Sequence, residues 1–374
     1  AFKDYENQVI MNGWFDSSYV AFRDIMTFAP KLKQNPFFVK NRESGIWLEG
    51  NIRGTVNNLK GRDLFLKLGS GSYLQGDFSI RDVTDPNITF FTLDVNRLQS
   101  SMRTLRLLLP GFDPPANYNS LGSLSFAGRT TGYFYDFVAE GQLNTAIGKA
   151  QMDMKLNTEG GPDQATYSGS IALKAFDLGA FTGDSKLGDI SFTSSVKNGE
   201  GLTAQSANAV LTANVSAFTY SGYTYQNIDL TGQLNQDFFN GNFSIQDDNI
   251  DLDFQGSIRQ MTTNPRLDLQ AQVEKFDFYR LKLMKRPFTV KGIFDVDLLG
   301  SNLSKLYGQA SIRQLGLFSE KDTFFIDSIF ASSRLNPDSS QSFRLQSELI
   351  EASADGLFDL ALIHQPFLKH FQKE

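Results

Sequence analysis

Strict alternation of apolar and polar residues is the feature that most constrains the fold of this 374-residue chain. In the stretch GNFSIQDDNIDLDFQGSI (residues 241–258), Phe243 and Ile245 precede a polar turn, and Ile250 and Leu252 follow it. A period of two places successive side chains on opposite faces of a β-strand. The stretch therefore predicts a β-hairpin with one apolar face and one polar face.

The same alternation recurs through nearly the whole sequence. We find roughly eighteen to twenty such runs, separated by clusters of Gly, Asn, Asp, Ser and Pro at the spacing of an antiparallel meander. Strands stacked in one row at ~4.8 Å each would extend about 90 Å. We therefore expect an all-β fold, built as an elongated antiparallel sheet with one or two short helical segments.

One set of alternating residues defines a candidate apolar face. The alternation alone leaves two interpretations of this face open, because the closed core of a β-sandwich and a one-sided open groove both cover one side of a sheet. The candidate residues are Leu48, Ile52, Leu66, Phe78, Ile80, Met152, Met154, Ile171, Leu173, Ile228, Leu230, Phe243, Ile245, Ile250, Leu252, Phe254, Leu267, Leu269, Phe294 and Val296.

Composition narrows the possible functions. The chain has 34 Phe against 12 Tyr and 2 Trp, and Phe lacks a polar tip, so these rings belong in a core or against lipid. A net charge of -6, without a run of clustered Lys and Arg interleaved with aromatic residues, argues against a nucleic-acid partner. The absence of Cys excludes disulfides and thiolate metal sites. The most apolar stretch, residues 105–112, is far shorter than the ~20 residues of a membrane helix.

An internal repeat is visible in two segments that each combine a helical pattern with a Gly-spaced strand. FRDIMTFAP ends at Pro30 and MRTLRLLLP ends at Pro110. Downstream, residues 48–59 align with residues 126–137, which places Gly50 and Gly54 on Gly128 and Gly132. A looser third copy spans residues 298–312 and includes Gly300 and Gly308. A period of about eighty residues is typical of an array built from one supersecondary unit.

The repeat predicts three segments within one continuous elongated domain. The first covers residues 1–100, the second and longer one covers residues 101–275, and a degenerate third covers residues 276–374 together with the C-terminal tail.

These features, taken in order, resemble the TamB and AsmA-like family. The resemblance is carried by the Gly-x-x-x-Gly strand, the Pro-ended helical segment, the sequence YSGYTYQNIDLTGQL (residues 220–234) and the hairpin of residues 239–256. It is closest to the TamB-type proteins of Bacteroidota and extends over residues 15 to 360. The ordered combination of these features carries the resemblance.

The resemblance implies a fold, a location and a function. Members of this family are anchored to the inner membrane, extend into the periplasm, and form a long β-sheet bent into a groove with an apolar concave face. They are implicated in phospholipid passage to the outer membrane and in outer-membrane protein assembly. This sequence lacks the family's anchor helix and its C-terminal partner-binding region, so we expect it to be part of a longer chain. The implied partner of that longer chain is an outer-membrane barrel of the TamA type.

The resemblance also assigns a role to the candidate apolar face. Its twenty residues become candidates for contact with phospholipid or another acyl-chain lipid carried along the groove. The alternative function is a scaffold or chaperone-like module that offers its sheet edges to outer-membrane strands by β-augmentation.

Three constellations contain residue types that could carry chemistry, and each favours a structural interpretation. The acidic cluster of residues 247–253 lacks the Gly and Glu positions of an EF-hand and predicts a solvated turn. GSGS at residues 69–72 has no following Lys-Ser or Lys-Thr pair and predicts a flexible turn. The two histidines, His364 and His370, have a spacing that suits neither a helical zinc pair nor a triad. We expect no catalytic residue, no metal, no cofactor and no enzyme activity.

Overall fold

The computed structural model describes residues 5–28, 33–34, 36–69, 71–83, 85, 87–108, 115–203, 205–259, 264–300 and 306–358. Within these ranges the chain forms 20 β-strands, five short α-helices and two short 3-10 helices. The all-β prediction and the predicted number of strands are confirmed, although the short helices outnumber the one or two that were expected. The chain divides into two compact units, residues 1–195 and residues 196–374.

Unit 1 alternates groups of strands with short helical connections. Its elements are α1 Tyr5–Gln8, β1 Met11–Ala21, α2 Phe22–Phe28, α3 Pro36–Lys40, β2 Gly45–Thr55, β3 Asn58–Leu68, β4 Ser72–Arg81, β5 Phe90–Ser101, α4 Met102–Leu108, the 3-10 helix η1 Ala116–Leu121, β6 Ser123–Tyr133, β7 Asp136–Thr145, β8 Gly148–Asn157, the 3-10 helix η2 Pro162–Gln164, β9 Thr166–Asp177, α5 Leu178–Thr182 and β10 Leu187–Glu200, which ends in unit 2.

Unit 2 consists of strands joined by turns in the part of it that the structure describes. Its strands are β11 Asn208–Tyr220, β12 Tyr223–Asn235, β13 Phe238–Asp247, β14 Ile250–Arg259, β15 Arg266–Asp277, β16 Phe288–Leu299, β17 Tyr307–Ser319, β18 Thr323–Leu335, β19 Gln341–Ser347 and β20 Glu351–Gly356.

Strands that follow one another along the chain pair antiparallel, from β1 to β9 in unit 1 and from β11 to β20 in unit 2. The hairpin predicted at residues 241–258 is formed by β13 and β14, with Phe243 opposite Phe254 and Ile245 opposite Leu252. Directly opposed residues in an antiparallel pair project from the same face of the sheet. The two apolar pairs of this hairpin therefore share one face.

All the α-helical connections of unit 1 that lie between strands fall at one end of its strands. The α2 and α3 helices connect β1 to β2, α4 with η1 connects β5 to β6, and α5 connects β9 to β10. In an antiparallel meander every second connection falls at the same end of the strands. Apolar side chains of these segments and of the adjoining strands are buried in two clusters. One contains Phe22, Met26 and Phe38, and the other contains Met102, Leu121, Leu124 and Phe176.

The two predicted repeat copies have matching local geometry in the structure. Gly50 and Gly54 are the sixth and tenth residues of β2, and Gly128 and Gly132 are the sixth and tenth residues of β6. In both copies, a seven-residue helix directly follows a strand. The first helical residue donates its backbone N–H to the residue before the next strand, from Phe22 to Ser44 (2.7 Å) and from Met102 to Gly122 (3.2 Å).

The third copy predicted at residues 298–312 does not follow this pattern. Gly308 is the second residue of β17, and residues 301–305 lie outside the described ranges. The next strand–helix–strand connection is instead at α5, where the Asp177 carboxylate accepts the Ala180 N–H at 2.8 Å as an N-cap. The predicted segment boundaries at 100/101 and 275/276 lie inside β5 and β15.

A pair of glycines on facing strands makes room for an aromatic ring on the apolar face of unit 1. Gly128 lies opposite Gly141, and the ring of Phe126 covers both. A Cβ at position 128 would lie 2.2 Å from the Glu140 carbonyl oxygen and 2.8 Å from the Phe126 ring. Real Cβ atoms do not approach backbone oxygens this closely, so Gly128 is required by the packing of its neighbours.

We expect Gly128→Ala to lower the free energy of unfolding by about 1–3 kcal/mol, because the new methyl group must displace the β7 backbone. The measurement is urea denaturation followed by circular dichroism. Gly71→Ala is the control, because no described atom lies within 4 Å of the Cβ position there, and it should be close to neutral. Equal stability of the two variants would show that β6 and β7 are not paired in this register.

Candidate functional site

The apolar face of unit 2 is the most extended feature that could bind a ligand. Its central row contains one residue from each of eight consecutive strands, and each residue lies directly opposite the next. The row runs Ala213, Leu230, Phe243, Phe254, Ala271, Phe294, Ile312 and Ile329. Every member is apolar. Because paired residues share a face, the row forms a continuous apolar path from β11 to β18.

Neighbouring rows extend this apolar face on both sides. On one side are Val215, Ile228, Ile245, Leu252, Val273 and Gly292. On the other side are Leu211, Gly232, Gly241, Gly256, Leu269, Val296, Ala310, Ala331, Leu345 and Ala352. We refer to these three rows together as the unit 2 face.

The middle of the unit 2 face is only partly covered by protein. Phe254, Leu269 and Phe294 are all partly exposed to solvent, whereas the alternate residues Gln255 and Gln270 on the opposite face are exposed. Fully packed cores contain buried side chains that touch neighbours on every side. The partial exposure of three large apolar residues in the interior of a sheet therefore indicates an open face.

Unit 1 has a face of the same construction. One row runs from β2 to β9 through Leu48, Leu66, Leu74, Leu98, Phe126, Leu143, Ala150 and Leu173. A parallel row contains Ile52, Gly61, Phe78, Leu93, Thr130, Ala139, Met154 and Gly169. Thr130 is the single polar residue in these two rows.

The structure places the twenty candidate residues on the apolar faces of the two units. Nine are in unit 1: Leu48, Ile52, Leu66, Phe78, Ile80, Met152, Met154, Ile171 and Leu173. Eleven are in unit 2: Ile228, Leu230, Phe243, Ile245, Ile250, Leu252, Phe254, Leu267, Leu269, Phe294 and Val296. Leu48, Ile228, Ile245 and Ile250 are buried, Ile171 is 37% exposed, and the others are partly exposed. Their contact with lipid stays a prediction.

Two buried members of the unit 2 face, Ile228 and Ile245, lie under a connection that sequence analysis missed. Residues 278–287, between β15 and β16, fold back over the ends of the strands, and Leu281 is 0% exposed in a cluster with Ile228, Ile245 and Ile250. The Leu281 N–H donates to the Asp277 carbonyl oxygen at 3.0 Å, and the Arg280 N–H donates to the Asp277 carboxylate at 2.9 Å. We call this segment the basic cap.

The charge of the basic cap was the sequence signal that could have identified it. Residues 280–286 read RLKLMKR, in which four of seven residues are basic and none is acidic. Its cationic residues Arg280, Lys282, Lys285 and Arg286 are exposed. Alternation did not identify this segment, because the period of two in residues 279–283 is too short and breaks at Met284.

An aromatic patch on the polar face of unit 1 was also not anticipated. Trp14 is 78% exposed and Trp47 is 48% exposed. Tyr19 lies opposite Trp47, and their ring centroids are 5.4 Å apart in an edge-on arrangement. Both tryptophans of the chain are therefore on the side of the sheet that alternation assigns to solvent.

The acidic turn of the hairpin at residues 241–258 organises a hydrogen-bond network. The Tyr223 hydroxyl donates to the Asp247 carboxylate and accepts from the Asn249 side-chain amide at 3.0 Å. Asp247 also accepts the backbone N–H of Asn249 at 3.0 Å and that of Gln226 at 3.2 Å. These contacts confirm the predicted turn and tie it to the neighbouring strand β12.

This network raises the pKa of Tyr223 to about 12, chiefly through burial of the phenol and also through its hydrogen bond to Asp247. A buried phenol resists ionisation because the phenolate loses solvation, and an adjacent carboxylate adds repulsion. Burial likewise raises the pKa of Tyr225.

The described residues bring together no group of acidic or histidine side chains that could hold a metal ion. None of their short helices has the length and apolar character that a membrane-spanning helix requires. The predicted turn at residues 69–72 connects β3 to β4, with residue 70 outside the described ranges. His364 and His370 also lie outside those ranges.

Comparisons of this chain with protein-family models, with curated protein sequences and with solved structures give no match. The resemblance to the TamB and AsmA-like family therefore depends on the sequence features alone and stays a prediction.

We expect the stability advantage of the native chain over Tyr223→Phe to be constant below pH 10 and to disappear between pH 10 and about pH 12. The sign follows because the folded-state pKa lies above the unfolded one, so folding favours the protonated phenol until it ionises. Urea denaturation of both proteins across this range measures the effect. A stability difference that stays constant up to pH 12 would contradict the raised pKa of Tyr223 in the folded protein.

Proposed function

We propose that the apolar faces of the two units bind the acyl chains of phospholipids and carry them along the sheet. The observation that supports this proposal best is the central row of the unit 2 face, in which eight consecutive apolar residues are arranged without a polar interruption.

The dimensions of the central row suit a fatty acyl chain. Eight strands at ~4.8 Å spacing give the row a length of about 34 Å, which accommodates an extended chain lying across the strands. Each methylene group that leaves water on such a surface contributes about 0.8 kcal/mol. A row of adjacent apolar side chains offers many nearly equivalent positions, so a bound chain can move along it without crossing a polar barrier.

The exposure of the face favours an open groove over a closed sandwich core. In a sandwich, a second sheet about 10 Å away would cover the same residues. Phe254, Leu269 and Phe294 instead keep part of their surface in solvent. Contiguous exposed apolar surface in a folded protein commonly marks a binding site.

The two faces of the sheet suit the two parts of a lipid. The polar side of unit 2 exposes Asp253, Gln255 and Asp295 to water. Acyl chains therefore bind to the apolar side of the sheet. The headgroup remains free to contact water or polar residues beyond the apolar rows.

The cellular setting that we propose follows from the sequence resemblance. In it the chain works in the periplasm as a bridge-like segment between the inner and outer membranes. It belongs to a longer protein that is anchored in the inner membrane and meets an outer-membrane partner of the TamA type.

We expect the double variant Phe254→Asp with Leu269→Asp to lose bound phospholipid while it remains folded. Two carboxylates on the unit 2 face interrupt the apolar path, but both positions are partly exposed, so the expected loss of stability is about 1–3 kcal/mol. Bound lipid is measured by mass spectrometry of organic extracts from the purified protein, and stability by urea denaturation.

The matched control is Gln233→Asp with Gln255→Asp, which adds the same two charges on the polar side of β12 and β14. The control should keep its lipid. An unfolded double variant on the apolar face would indicate a closed core and contradict the proposal. Equal lipid in both variants would favour the alternative in which the sheet serves as a scaffold for outer-membrane strands.

A further inference from the structure

The basic cap concentrates positive charge in an acidic chain. The chain as a whole carries a net charge of -6, yet residues 278–287 contain four basic residues and no acidic one. All four basic side chains are exposed. One of them has a structural role, because the Lys282 ammonium donates to the Gly222 carbonyl oxygen. The other three, Arg280, Lys285 and Arg286, extend from the same short segment.

The basic cap also presents apolar side chains to solvent. Tyr279 is 46% exposed, Leu283 is 46% exposed and Met284 is 49% exposed. These residues flank Leu281, which is the only fully buried side chain of the segment. The cap therefore buries Leu281 completely, keeps Phe278 half-buried and leaves three large side chains at its surface.

The backbone of the cap is fixed, so these side chains have a defined presentation. Leu283 and Met284 donate their N–H groups to the Phe278 carbonyl oxygen at 2.8 and 3.0 Å. The Phe278 N–H donates to the Phe288 carbonyl oxygen at 2.9 Å, which closes the segment at its base. Such a loop loses little conformational entropy when it binds a partner.

We propose that the basic cap docks unit 2 onto the surface of a bilayer that contains anionic phospholipid. Leu283 and Met284 enter the interface between headgroups and acyl chains, while Arg280, Lys285 and Arg286 contact lipid phosphates. This inference rests on the proposed function, since a protein that carries phospholipid must meet a membrane to load or release it.

The combination of groups on the cap identifies the partner. Basic residues around exposed apolar side chains are typical of interfacial membrane contact, in which charge attracts the protein to the surface and apolar groups insert. Basic residues near an anionic bilayer each raise the affinity about fivefold. A nucleic-acid partner is disfavoured by the net charge of -6, because affinity for nucleic acid comes chiefly from many basic contacts to phosphates.

The position of the cap connects this contact to the unit 2 face. Leu281 packs in one cluster with Ile228, Ile245 and Ile250, and Phe243 and Leu252 border that cluster. Docking at the cap therefore places the membrane surface beside the row that contains Ile228 and Ile245, along one side of the unit 2 face. A lipid that leaves the bilayer there meets apolar side chains instead of water.

The experiment is vesicle flotation with the full chain. One set of vesicles is phosphatidylcholine alone, and the other contains about 30% phosphatidylglycerol, each at about 0.1 M and about 0.5 M salt. We expect binding to the anionic vesicles that weakens at the higher salt concentration.

Lys285→Gln with Arg286→Gln should reduce the partition coefficient about 25-fold, as two fivefold contributions predict. Leu283→Ser with Met284→Ser should reduce binding to the same vesicles without changing its salt dependence.

Arg334→Gln with Arg344→Gln is the matched control, because it removes the same charge from exposed positions on β18 and β19. It should bind as the native chain does. The proposal is overturned if the native chain does not float with anionic vesicles, if it binds neutral vesicles equally well, or if the control pair loses as much affinity as the cap pair.

The lipid measurement separates this inference from the proposed function. Phospholipid bound to the native chain, together with normal flotation of the cap variants, would refute docking at the cap and leave lipid carriage intact. Flotation that depends on the cap, from a chain without lipid on its faces, would refute lipid carriage and leave the membrane contact intact.

Discussion

The register of the antiparallel strand pairs is the constraint on which the rest of this structure depends. Side chains alternate between faces, so a slip of one residue in any pair would transfer a whole strand's apolar set to the polar side. In unit 2 the register keeps Leu230, Phe243 and Phe254 opposite one another across three strands. Because each strand is aligned only to its neighbours, the apolar face is the sum of many local alignments. Its continuity depends on every one of them.

The same constraint explains where the two units obtain their cores. A single sheet buries little on its own, since one face lacks a covering layer. The fully buried apolar clusters therefore form where connections fold back onto the strand ends, as with Phe22 and Phe38 in unit 1 and Leu281 in unit 2. The stable cores lie at the margins, and the middle of the unit 2 face remains partly exposed. This division is compatible with a binding surface that does not also have to hold the fold together.

The sequence predicted the sheet and its faces because their cause is local. A period of two assigns Phe254 and Leu269 to one side and Gln255 and Gln270 to the other, whatever the rest of the chain does. The basic cap could not be found in this way, because Leu281 becomes a core residue only through contact with strands that are distant in sequence. The connection at α5 was not predicted for a related reason. Glycine spacing pointed to Gly300 and Gly308, while the short helix α5, which follows an N-cap at Asp177, has no apolar period long enough to detect.

Pairing between consecutive strands also has a consequence for how such a chain is made and how its length can change. Each new strand needs only the preceding one as a template, so ordered structure can grow by addition, with low loop-closure cost at every step. A chain emerging from the ribosome can therefore extend its sheet hairpin by hairpin before synthesis ends. Insertion or deletion of one hairpin would lengthen or shorten the apolar rows by about 10 Å. The alternation of all other strands would stay unchanged. The length of the apolar rows can therefore change in evolution through duplication or loss of short gene segments.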